Sequence, residues 1–500
     1  SAWVHADDGK RSEGHVMLCD VTGGLAVTLK NFWQSYPASL EVCKARSDKA
    51  QLKVWLWSPE AEAMDLRHYD TIPHDLLSTY EDIQPGLSTP YGVAHTSELS
   101  IFVLDKVPSK NETVAISQWG ANAPQLLCTP EYLHAVKAFG TWSLPDFSNQ
   151  TRKNIENQLD SSIFYYQKSI DERHWYGFWN YGDVMHSYDP NRHAWKYDVG
   201  GFAWANTELA PGNWLWYSFL RTGRADIYQM AMAMSRHTAE VDVYHLGEMK
   251  GLGTRHNVSH WGCGAKEARI GQAAWKRFQY YLTTDERSGD LMREALDVEK
   301  ALMKYEPLRI AQPREKFPFS GPTRLRWGPD WLALAGNWMT EWERTGDVKY
   351  RNKIITGLDG LAALPDNLFT GTGGLSYDPE TGKIWYNGIQ GRTNQNHLST
   401  IMGGYEILME LFEMVDHKPF RKKFTEYCRL YSMPANDPER NDDNRKLGDI
   451  GFRTPRLTAF AASELNDDKL AARAWSEFLG NRQRDHYGVK MLSGSEVLNP

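Results

Sequence analysis

No run of about 18 apolar residues occurs in the 500-residue chain, so nothing in it reads as a membrane-spanning helix. Cysteine is scarce. Cys19, Cys43, Cys128, Cys263 and Cys428 are scattered without CxxC spacing, which argues against a thiolate zinc module and against a dense disulfide scaffold, and leaves room for one bridge, for instance Cys19 with Cys43. Basic excess is lacking as well. Lys and Arg number 56 against 63 Asp and Glu, a formal charge of −7, so no positive field draws the chain onto nucleic acid or anionic lipid. An acidic ligand has to be held by a local basic pocket. The N-terminal SAWVHADDGK also lacks the charged, apolar and small-residue segments of a signal peptide.

What is abundant is aromatic: 20 Trp and 24 Tyr, suited either to stacking on sugar rings or to filling a large helical core. Residues 1–145 alternate with the period of strands in GHVMLCDVTGGLAVTLKNFW, ASLEVCKARSDKAQLKVWLW, SELSIFVLDK and ETVAISQWG, each broken by Gly, Pro, Asn or Ser. This predicts a β-sandwich. From about Thr151 the period becomes helical. Amphipathic segments end in short polar turns and restart at YSFLRTGRADIYQMA, YYLTTDERSGDLM, EWERTGDVKYRNK, LFEMVDHKPFRKK and ASELNDDKLAARA. Repeated helical hairpins without a polar cap at the ends predict a closed α/α toroid over 146–500. The fold class is therefore α+β and multidomain, an N-terminal β-sandwich followed by an α/α toroid.

Long loops rich in Trp, Tyr, Gly, His and Asn separate the hairpins, and loops of such length in a compact domain are usually functional. The densest is GTRHNVSHWG at 253–262. His256 and His260 are four apart, but the Glu of HExxH is absent and position 257 is Asn, so no metal and no cofactor is expected. The stretch fits uronate chemistry better. Removing the proton beside a sugar carboxylate needs cationic or amide groups to absorb the charge, a base, and an acid for the departing oxygen. Arg255 and Asn257 supply the first, His256 or His260 the second, and Tyr181 the third. Gly253 and Gly262 would permit backbone angles closed to other residues. Asp183, His186, Tyr188, Trp261, Arg326, Trp327, Arg392, Asn396 and His397 are expected to line the same substrate cleft. In the strand region Arg67, His68, Tyr69, Tyr91 and His95 become candidates if the sandwich packs against the loop face.

The motifs LKNFWQSYPASLEV (29–42), TPYGVAHTSELSIF (89–102), WYGFWNYGDVMHSYD (175–189), FAWANTELAPGNWLWYSFLRTGR (202–224) and GTRHNVSHWGCG (253–264) resemble the rhamnogalacturonan exolyases and the YetA-like proteins related to them. The resemblance spans nearly the whole chain. It implies a central β-sandwich and a C-terminal α/α toroid, β-elimination on an acidic pectic glycan, exo action, and an extracellular or periplasmic location. Members of that family carry an upstream β-barrel-like domain and continue past the position of Pro500, so the chain is expected to be an internal portion of a longer protein. Two rival readings remain: an α/α-toroid glycoside hydrolase using Asp183, Glu208 and Asp242, and a glycan-binding protein without catalysis.

Overall fold

The computed structural model describes residues 8–64, 86–197, 203–255, 260–309, 312–317, 319–371, 374–388, 402–431, 433–434, 436–441 and 454–482. Strands β1 (His15–Asp20) and β2 (Gly23–Leu29) form a hairpin because Asp20 Oδ1 accepts from both the amide and the hydroxyl of Thr22, closing a tight turn. β2 is central, pairing antiparallel with β1 and with β5 (Leu99–Leu104). A second ribbon pairs β3 (Ser39–Cys43) with β4 (Gln51–Trp55). The five cysteines are free thiols, so the Cys19–Cys43 bridge is not formed.

One predicted strand is a helix. ETVAISQWG lies within α1 (Lys110–Ala121), and the Ser109–Glu112 capping box starts it: the Glu112 amide donates to Ser109 Oγ while Glu112 Oε2 accepts from the Ser109 amide at 2.7 Å. The β-branched Thr113, Val114 and Ile116 give this stretch its strand-like composition. α1 packs on the face of β2.

Beyond α2 (Pro130–Ala135) and the long α3 (Gln150–Glu172), helices come in antiparallel pairs joined at the polar turns. The pairs are α4 (Pro211–Thr222) with α5 (Ala225–Glu240), α6 (Ala273–Thr283) with α7 (Glu286–Glu294) and, beyond the short α8 (Val298–Ala301), α9 (Leu332–Thr345) with α10 (Val348–Ala362). They continue as α11 (Gly404–Met414) with α12 (Lys418–Tyr431) and α13 (Pro455–Leu465) with α14 (Asp468–Arg482). Left-handed Gly223 and Gly346 end α4 and α9, while Asp285 and Asp347 cap α7 and α10. Among the described residues, the strands after α3 are two- or three-residue ribbons. Much of the aromatic surplus fills the core: Trp216, Trp261, Trp331 and Trp338 are each at most 1% exposed.

Lys276 is an exception inside that core. Burial pulls its pKa down to about 8, and among the described residues its Nζ donates to the Leu291 carbonyl alone, which also accepts from the Ala295 amide. A lysine whose folded pKa lies below its unfolded value costs stability in full below about pH 8, and the cost fades as pH rises toward the unfolded pKa. Lys276→Met should therefore stabilise the protein at pH 7 by about 3 kcal/mol. Urea denaturation of both forms at rising pH should show that advantage disappearing through the alkaline range.

Candidate functional site

The sandwich packs onto the helical module through the loops. Gly177 and Phe178 amides donate to the carbonyls of Gln34 and Tyr36, the Tyr244 hydroxyl reaches the Thr89 carbonyl, and the Thr96 amide donates to Glu240 Oε2 at 2.7 Å. Arg236 on α5 pairs with Glu98 beside β5 at 2.8 Å. A cavity of roughly 720 Å³ lies at this junction, walled by His95, Glu98 and Trp119 from one side and Phe178, Tyr181, Arg236 and His237 from the other. The packing that made His95 a candidate is present. His95 stacks on Phe178 at 4.0 Å, and burial together with the nearby His237 and Arg236 pulls its pKa down to about 4. Tyr181 lies in the same wall, where burial pushes its phenol up to about 12.

Next to this wall four buried side chains meet: Asp183, His237, Asp242 and His260. Gly182 sets the first. It has φ +103°, and a Cβ there would stand 2.2 Å from the Ala233 carbonyl, so this glycine lets the 175–189 segment lie directly on α5. Asp183 Oδ1 then accepts from the Val184 and Asn206 amides at 2.7 and 3.1 Å, and Oδ2 turns to the histidines. His237 comes from the last turn of α5, and Asp242 lies two residues beyond its end. His260 comes from the GTRHNVSHWG stretch, with Nε2 3.1 Å from Asn180 Oδ1. Burial raises both carboxyls, but the two histidines more than offset it at Asp183, which ends below the usual range, while Asp242 ends above it. Burial lowers His237, and Asp242 and Asp183 overcome it, so its pKa ends raised.

A chain of buried ion pairs continues from there. Asn206, whose amide holds Asp183, donates through its side chain to the Thr254 carbonyl at 2.8 Å and accepts from the Glu208 amide at 2.9 Å. Glu208 takes Arg255 Nε at 3.0 Å and Arg269 at 2.6 Å. Arg269 in turn pairs with Glu267 at 2.8 Å and faces Asp330 at 3.7 Å, and Asp330 pairs with Arg326 at 2.8 Å. The turn Trp327–Trp331 is π-helical and carries Asp330 inward. Lys266, fully buried, donates to Thr254 Oγ1 and the Trp261 carbonyl, and Arg309 donates to the Gly264 carbonyl.

The structure thus brings Asp183 to His260, and links Arg255 to Arg326 only through Glu208, Arg269 and Asp330. It corrects others. Trp261 and Trp327 are 1% and 7% exposed and hold the Val241 and Leu368 carbonyls through their indole N–H, so neither presents a face to a sugar. Tyr188 packs edge-on against Trp195, and His186 Nδ1 lies 2.7 Å from Ser187 Oγ. Gly253 is a strand residue outside the left-handed region; it is required because a Cβ would stand 2.3 Å from the Ile270 carbonyl. His256, Asn257, Arg392, Asn396 and His397 lie outside the described residues, as do Arg67, His68 and Tyr69. Sequence reasoning missed His237, Lys266, Glu267, Arg269 and Asp330. The run KEAR at 266–269, three charged residues around Ala268 that all fold buried, was the available signal for three of them.

A strand module thus closes a polar cavity against the loops of stacked helical hairpins, which defines a two-module protein. The chain belongs to the PcRGLX-like family: residues 1–118 match the PcRGLX-like protein central beta sandwich domain and residues 123–500 the PcRGLX-like protein C-terminal alpha/alpha toroid domain. The N-terminal β-sandwich and the helical α/α toroid expected from the sequence are both present. The chain is also 41% identical over 485 residues to the uncharacterized protein YetA of Bacillus subtilis (strain 168), covering 96% of itself and 56% of that relative. It therefore spans little more than half the length of the relative it matches. Among the described residues no helix is long and apolar enough to cross a membrane.

Proposed function

We propose that the protein is a polysaccharide lyase that cleaves an acidic pectic glycan of the rhamnogalacturonan type by β-elimination at a uronate, acting from a chain end outside the cytoplasm. The observation that carries this reading over hydrolysis is the state of the carboxylates. Asp183, Glu208 and Asp242, the acids named for a hydrolase, are 1%, 2% and 0% exposed, Glu208 paired with arginines and the two aspartates facing buried histidines. Hydrolysis needs two carboxyl groups flanking the scissile bond. The partly exposed member of the ion-pair chain is instead a cation, Arg255, a quarter exposed and paired with Glu208, while the carboxylates and the remaining arginines of that chain lie behind it.

In this reading Arg255, with Asn257, absorbs the negative charge that builds on the uronate carboxyl as its neighbouring proton leaves. The ring of His260 is buried, with one nitrogen against Asn180 and the other facing two carboxylates, so the proton falls to His256. Tyr181 keeps its own proton at neutral pH and serves as donor to the departing oxygen. Incubation with rhamnogalacturonan should yield products whose new carbon–carbon double bond, conjugated to the carboxyl, absorbs in the ultraviolet. Saturated products that have gained water would replace this reading with hydrolysis.

A further inference from the structure

We infer that Asp183, His237, Asp242 and His260 hold a first-row divalent cation, zinc by class, in a closed four-ligand site that pins three loops of the helical module together. The spacing is that of ligands around a common centre. His237 Nε2 lies 3.5 Å from Asp183 Oδ2 and 3.4 Å from Asp242 Oδ1. His260 Nδ1 lies 3.4 and 3.8 Å from the same two oxygens, and all four atoms fall within 4.8 Å of one another. Charge-assisted N–H···O bonds close to about 2.7–2.9 Å. Ligands about 2.0–2.1 Å from a tetrahedral ion stand roughly 3.3–3.4 Å apart. Among the described residues none of these four atoms has a hydrogen-bond partner, although their side chains are buried.

The groups behind the ligands agree. The second oxygen of Asp183 is held by two backbone amides, and His260 Nε2 meets Asn180 Oδ1, a pure acceptor, so the proton of that ring sits on Nε2. The Nδ1 lone pair then points at two carboxylate oxygens. That arrangement is repulsive unless a cation lies between them. Two carboxylates and two neutral imidazoles balance a divalent charge, and a mixed nitrogen and oxygen set of four suits zinc rather than magnesium or calcium, which take oxygen ligands. With four protein ligands buried, the site has no open position, which makes it structural. It joins the segment after α3, the end of α5 and the GTRHNVSHWG stretch, whose ligands are separated too widely in sequence to form a local motif. The rival arrangement is a metal-free tetrad of two protonated histidines and two carboxylates.

The assignment does not depend on the lyase reading, and its test uses metal content and stability. The chain purified from zinc-supplemented culture and dialysed against buffer should retain about one zinc per chain by elemental mass spectrometry. A strong chelator should lower its melting temperature by several degrees, with recovery on adding zinc and none on adding magnesium. Cobalt substitution should give the visible absorption of a tetrahedral site. Asn180→Ala, which removes only the acceptor behind His260, should stay folded and bind zinc about ten- to a hundredfold more weakly. A folded chain that retains no metal, with a melting temperature indifferent to chelator and zinc, would establish the metal-free tetrad and overturn the site.

Discussion

Arg255→Ala is expected to lower kcat on the cognate glycan by about a hundred- to a thousandfold, roughly 3–4 kcal/mol of transition-state stabilisation, while KM changes little. The charge on the uronate carboxyl grows only as the proton leaves, so a cation that meets it contributes to the transition state far more than to the bound substrate. The fold should tolerate the change. Glu208, which accepts from Arg255, also holds Arg269 at 2.6 Å and keeps a buried partner when Arg255 is gone. Melting temperature should stay close to that of the parent. A variant that turns over at the normal rate would remove Arg255 from the chemistry and leave it a support for Glu208.

Arg269→Met should have the opposite profile, destabilising the fold by about 3–5 kcal/mol. Arg269 is 3% exposed and stands among Glu208, Glu267 and Asp330. Glu208 and Asp330 keep Arg255 and Arg326, but Glu267 is left with Arg326 at 3.6 Å. Burial already raises the pKa of Glu267. The deficit, measured by urea denaturation, should therefore narrow as pH falls and that carboxyl takes up a proton. A loss below 1 kcal/mol at neutral pH would mean the remaining arginines fully replace Arg269.

The two-part architecture was legible because its signals are local. Alternation marked the runs that hold β1 with β2 and β3 with β4, and the polar turns marked the joints of the five helical pairs among the described residues. α1 shows how a local reading fails when two local signals compete, since β-branched residues followed a capping box. The site was less legible for a different reason. Asp183 and His260 stood out in loops dense with polar groups, but His237 sits in an amphipathic helix where one buried polar residue has no pattern of its own. Burial also decides the role of an aromatic, and a single sequence does not report it: Trp261 looked like a sugar platform and is a core residue.

Helix α5 carries two neighbouring residues with separate obligations. Arg236 grips Glu98 of the strand module and Asp285 at the start of α7, and His237 joins the buried tetrad. One turn later, Glu240 takes the Thr96 amide. Any rotation of the strand module about the junction would pull on the same helix that holds the tetrad. A hinge between the two modules at this point would therefore have to break contacts that α5 makes to both.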